Sequence, residues 1–81
     1  MTQFVNMEIE FNPCEGFGSY GRSATIWHIG SESWGFGVGA TDEEAVLEAM
    51  LDAGVSFEVA CDECDALIKS ASKITRNEVT A

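Results

Sequence analysis

The chain has 81 residues, 14 Asp and Glu against 4 Lys and Arg, and a formal charge of −10 at pH 7. That length suits one domain, 1–81, with a modest core, and so large an acid excess argues against direct binding to nucleic acid or anionic membranes, which need Lys and Arg against phosphate. No apolar run approaches a membrane span and no basic-then-apolar leader is present, so the expected compartment is the cytoplasm.

Residues 4–11 (FVNMEIEF) alternate, with Val5, Met7, Ile9 and Phe11 on one face and Asn6, Glu8 and Glu10 on the other. The pattern predicts a strand with one face to the core and one to solvent. Asn12-Pro13 should end it, because Pro has no N–H for a ladder. Residues 12–22 then read as a Gly-punctuated loop that carries Phe17 and Tyr20. Aromatic rings in such a loop either anchor a partner or fold back over the sheet. Residues 23–29 predict a second strand, and Gly30-Ser31-Glu32 a turn into a third that pairs with it as a hairpin.

The third strand and the segment after it organise the chain. Trp34, Phe36, Val38 and Ala40 alternate with Gly35, Gly37 and Gly39, giving an apolar face and a bare one. Thr41 follows as a helix N-cap with Glu44 three residues on, the spacing of a capping box, and Asp42 and Glu43 add charge where the helix dipole favours it. Val46, Leu47, Met50 and Ala53 share one helical face, and Gly54 is placed to stop the helix.

After Gly54 two patterns compete. Val55, Phe57, Val59 and Cys61 alternate as a strand would, whereas Phe57, Ala60, Cys61, Cys64, Leu67, Ile68, Ala71 and Ile74 keep helical spacing over a longer window. Ser56 is a suitable N-cap, and Lys69, Lys73 and Arg76 suit a helix C-terminus. The longer pattern predicts a second helix over about 57–74, with 75–81 as a frayed tail. The predicted fold is α+β, a three-stranded antiparallel sheet with two helices packed on one face, in the order β-β-β-α-α.

No stretch carries a catalytic motif. Cys61-Asp62-Glu63-Cys64 has CxxC spacing, but in the predicted helix it lies past the N-terminal turn where a dipole would stabilise a thiolate, among carboxylates that raise thiol pKa values. Cysteines in an apolar stripe act as small hydrophobes. Three cysteines, an odd number, argue against a disulfide framework. Cys14, His28, Cys61 and Cys64 do form a chemically legitimate zinc set, so a small structural or zinc-binding module is the alternative reading. Gly35, Gly37 and Gly39 before a helix have partial phosphate-loop character, yet Asp42, Glu43 and Glu44 would meet an incoming phosphate. The glycines are better explained as room for another element to approach. The expectation is therefore no enzyme, no metal and no cofactor.

What remains is acid. Between Ser23 and Ile68 the chain has ten carboxylates and no Lys or Arg. Glu44, Glu48 and Asp52 recur every fourth residue, about 6 Å apart along one helix edge, a spacing similar to that of neighbouring phosphates. Like charges so placed cost a few tenths of a kcal/mol per pair. Farther on, Glu58, Asp62 and Asp65 share a side with Lys69 and Lys73 and are partly balanced. The first helix's edge suits either a phosphate mimic or a merely solvated face.

The run GFGVGATDEEAVLEAMLDAG resembles the strand–cap–helix junction of small acidic phage-encoded proteins, anti-CRISPR inhibitors among them. That resemblance implies a single α+β domain without enzymatic motifs that blocks a nuclease complex, in the cytoplasm of the infected cell. The β-β-β-α order is also similar to double-stranded-RNA-binding domains, but their lysine-rich helix start is replaced here by Asp42, Glu43 and Glu44. The expected function is a non-enzymatic acidic binding protein that occludes a basic, nucleic-acid-binding surface of a larger protein. Glu43, Glu44, Glu48 and Asp52 would supply the charge, and Phe17 and Tyr20 the aromatic anchors.

Overall fold

The computed structural model describes residues 6–13, 21–28 and 33–77, apart from the side chains of His28 and Ser33. The elements are β1 (Met7–Pro13), β2 (Arg22–His28), β3 (Ser33–Gly39), α1 (Asp42–Asp52), α2 (Phe57–Ser70) and β4 (Lys73–Arg76). The α+β class is as expected from the sequence, but among the described residues the sheet has four strands, in the order β3-β2-β1-β4. β1 pairs antiparallel with β2, and β2 with β3, while β4 lies parallel to β1.

The fourth strand corrects the three-stranded sheet and gives residues 75–77 of the expected tail a structure, while 78–81 lie outside the described residues. α2 stops at Ser70 because Ala71 is already extended, at φ −58° and ψ 136°. Ile74 therefore belongs to β4, opposite Ile9, and Lys73 pairs with Glu8 instead of continuing the helix. Ser72 N–H donates to the Met7 carbonyl at 2.8 Å and Asn77 N–H to the Phe11 carbonyl at 2.9 Å, bracketing the ladder. β1 is thus an inner strand, with Met7, Ile9 and Phe11 all buried. It also runs on through Asn12 and Pro13, which pair with Ser23 and Arg22. Proline is tolerated because the two-residue period turns its nitrogen toward the β4 side, where the register ends at Phe11 and Arg76.

β3 turns its bare face, not its apolar one, to α1, so the element for which the glycines were expected to leave room is this helix. Gly35, Gly37 and Gly39 face the helix, and Phe36 is 53% exposed on the other side. A Cβ added to Gly37 would sit 2.6 Å from the Ala45 carbonyl oxygen and against the Ala49 nitrogen. Two strand residues advance about 6.6–6.8 Å and four helical residues about 6 Å, so three glycines can lie beside three alanines. Gly35 meets Ala53 and Ala49, Gly37 meets Ala49 and Ala45, and Gly39 meets Ala45 with Glu44. Helix and strand run antiparallel, backbone nearly on backbone. The buried face of α1 is accordingly Ala45, Val46, Ala49 and Met50, with Leu47 and Ala53 only half-buried.

Local signals set the helix ends. Thr41 Oγ1 accepts from Glu44 N–H at 3.1 Å. At the other end Gly54 has φ +96°, Gly54 N–H donates to Leu51 O and Val55 N–H to Met50 O, both at 3.0 Å. This pair of bonds is the Schellman stop. Ser56 caps α2 through Val59 N–H at 3.3 Å, which settles the 55–61 segment as a cap and a helix start. The buried stripe of α2 is narrower than its sequence pattern: Ala60, Cys64 and Leu67 are buried, whereas Phe57 is 65% exposed and Cys61 is exposed.

Candidate functional site

The geometry of β3 and α1 fixes where the acid row lies. Because α1 sits directly on the glycines, its next flank overhangs the outer edge of β3, the last strand of the sheet. Glu44, Glu48 and Asp52 are all exposed on that flank. Asp52 Oδ2 accepts from Phe36 N–H at 3.0 Å, and Glu44 Oε2 accepts from Ala40 N–H at 3.2 Å. The second bond modifies the capping-box expectation, since Glu44 reaches back one residue beyond the N-cap. Glu48 lies between the two at the level of Val38 and forms no hydrogen bond or ion pair among the described residues. An open groove of about 850 Å³ runs along this edge, lined by β3 from Phe36 to Gly39 and by Glu44, Leu47, Glu48, Leu51 and Asp52.

The cations of the described residues are committed elsewhere or distant. Arg22 and Arg76 each hold Asp42, at 2.8 Å, and Lys69 pairs with Asp65 at 3.0 Å. Lys73 lies in β4, on the opposite edge of the sheet, so it does not balance the acids of α2 as its spacing suggested. The last turn of α1 has no basic residue. Among the described residues the row is therefore un-neutralised, and Asp52 stands at the helix end where the dipole disfavours an anion.

Two of the other helix acids are not part of this row. Asp42 is a structural ion-pair centre: the hydrogen bond from Arg76 and then that from Arg22 hold its carboxyl below the usual range, against the opposing effect of burial. Asp42 in turn pushes the Arg76 guanidinium pKa up. Glu43, expected to supply charge together with the row, lies on the other flank, near enough to Cys64 to help raise its thiol pKa. Burial is the largest cause of that rise.

The cysteines differ in setting, with Cys64 Sγ buried and directed at the Cys61 carbonyl at 3.8 Å. Cys14, Phe17, Tyr20 and the His28 side chain lie outside the described residues. Among the described residues, no three His, Cys, Asp or Glu side chains are grouped to hold a metal. No described helix is long and apolar enough to cross a membrane.

Sequence reasoning placed the acid row but not its setting. The sequence pattern puts Leu47 on the apolar face of the helix and gives Phe36 and Leu51 no part in a site, yet all three line the groove with the row. One available signal was the pairing of GxGxG at 35–39 with alanines at 45, 49 and 53, which predicts a backbone-close helix and so an outward-turned Phe36. Comparisons with protein-family models, with curated proteins and with solved structures found no significant match for this chain.

Proposed function

We propose that the chain is a non-enzymatic acidic binding protein that sets the α1 flank against a basic surface of a larger protein and occludes it. The observation that carries this reading is the row Glu44, Glu48 and Asp52, exposed and without a cation along the helix. A surface built to bind nucleic acid has the complementary charge, and carboxylates about 6 Å apart imitate successive phosphates. An inhibitor of the anti-CRISPR kind, phage-encoded and acting in the host cytoplasm, is the specific form of the proposal. Glu43 can add to the field from the opposite flank, but it is not in the row.

The experiment is affinity capture from host extract on immobilised wild-type protein and on the Glu44→Gln, Glu48→Gln, Asp52→Asn triple variant. The amides keep an acceptor for Phe36 and Ala40 N–H, so the fold should persist while the charge is removed. The expected result is a basic protein retained by the wild type, at least about tenfold more weakly by the variant, and released by competing nucleic acid. Equal retention by both proteins would leave the row as a solvated face only.

A further inference from the structure

We infer that the outer edge of β3 is a docking strand for an extended partner segment carrying Lys or Arg at alternate positions with apolar residues between them. This rests on the basic-partner reading above and specifies how that partner engages. Among the described residues β3 pairs with β2 on one side only, and an edge strand presents outward N–H and C=O groups to any strand that can reach them. The outward direction is marked by Phe36, whose N–H goes to Asp52, and the two-residue period gives Val38 the same orientation.

Among the described residues, the groups that meet the Phe36 and Ala40 N–H are side-chain carboxylates. Asp52 accepts from Phe36 N–H and Glu44 from Ala40 N–H. An incoming strand would exchange these bonds. Its carbonyls would take over the Phe36 and Val38 N–H groups, and its ammonium or guanidinium groups would take the displaced carboxylates. Basic residues two apart in a strand repeat at about 6.6–6.8 Å, close to the about 6 Å repeat of Glu44, Glu48 and Asp52. The intervening apolar residues would emerge on the opposite sheet face, beside the exposed Phe36 ring.

The same exchange fails for other strands. A neutral segment leaves the displaced, exposed carboxylates only water as a partner and gains no ion pair, and an acidic one adds repulsion. A second copy of this chain, at a formal −10, is repelled as well. The edge is thereby selective for basic strands through what it rejects as well as what it accepts.

The test uses isotope-labelled protein at low salt and three short synthetic peptides: alternating Lys and Val, the same sequence N-methylated on its pairing amides and so unable to form the ladder, and alternating Glu and Val. The expected result is that the Lys peptide binds and slows amide exchange at Phe36 and Val38 by at least about tenfold, while the N-methylated and Glu peptides do neither. Val38→Pro, which removes an outward N–H at an edge where Pro is tolerated, should weaken the Lys peptide while leaving the spectrum folded. If the N-methylated peptide binds as well as the parent, or the Phe36 and Val38 amides do not change, strand docking is wrong and charge attraction to the row survives. If neither Lys peptide binds, the basic-partner reading falls with it.

Discussion

Asp42 shows how much one carboxylate can be given to architecture in a protein with acid to spare. It stands at the start of α1 and collects Arg22 from β2 and Arg76 from β4, while the Arg76 guanidinium also lies 4.7 Å from the centre of the Phe11 ring. Asp42→Asn should lower stability by about 1–2 kcal/mol at pH 7, the half-exposed Arg76 keeping the figure small. Because the folded-state pKa is depressed, this contribution is complete above the unfolded value of about 3.9 and is lost as pH falls through the lower folded one. Urea denaturation should therefore separate wild type and variant at neutral pH, with the two curves converging in strong acid. The cysteines give a second contrast at this scale. Cys61 is exposed, whereas Cys64 is buried with its thiol pKa raised. Brief treatment with a thiol reagent at pH 7–8, followed by peptide mapping, should label Cys61 well before Cys64. Equal labelling would mean that α2 opens easily or that its buried face is misassigned.

At the scale of elements, the β3–α1 contact tolerates the least change. Gly37→Ala forces a methyl onto the backbone of Ala45 and Ala49, atoms that can yield only if the helix itself moves. The expected loss is about 1–3 kcal/mol or more in chemical denaturation, and an unchanged midpoint would mean that α1 does not lie this close. The same contact explains what was legible in the sequence. The ends of α1 were readable because Thr41, Glu44 and Gly54 act on groups within a few residues of themselves. The glycines of β3 pointed to a close-packed neighbour, but which element it is, and that Phe36 therefore turns outward, depends on α1 folding back over the strand. β4 was hidden for a related reason. Its four residues gain their structure from β1, Asp42 and the Phe11 ring, all distant in sequence. The acid row was visible as an i, i+4 pattern, but its role at a sheet edge could not be seen before the strand order was known.

For the whole molecule the dominant quantity is charge. A formal −10 on 81 residues means that folding concentrates like charges, which opposes the compact state. Only a few attractive pairs, around Asp42 and between Asp65 and Lys69, work the other way among the described residues. Added salt screens the many repulsions more than it weakens these pairs, since the Debye length shrinks to about 8–10 Å near physiological ionic strength. The thermal midpoint should rise from low to moderate NaCl, and rise less in the Glu44→Gln, Glu48→Gln, Asp52→Asn variant. A midpoint that falls with salt would indicate that the ion pairs outweigh the net field.

The parallel pairing of β1 with β4 also affects the order in which the protein can be built. Asn77 donates to both Glu10 and Asn12 side chains, joining positions up to 67 residues apart. Closing so long a loop carries a large entropic penalty until distant contacts form. During synthesis, β1, β2, β3 and α1 can assemble as soon as they leave the ribosome, but β1 then keeps one side of its ladder unfilled. Completion waits for residues 73–77. A nascent chain stalled short of that point would present an open inner strand, a natural substrate for chaperones and the most aggregation-prone species this sequence should produce.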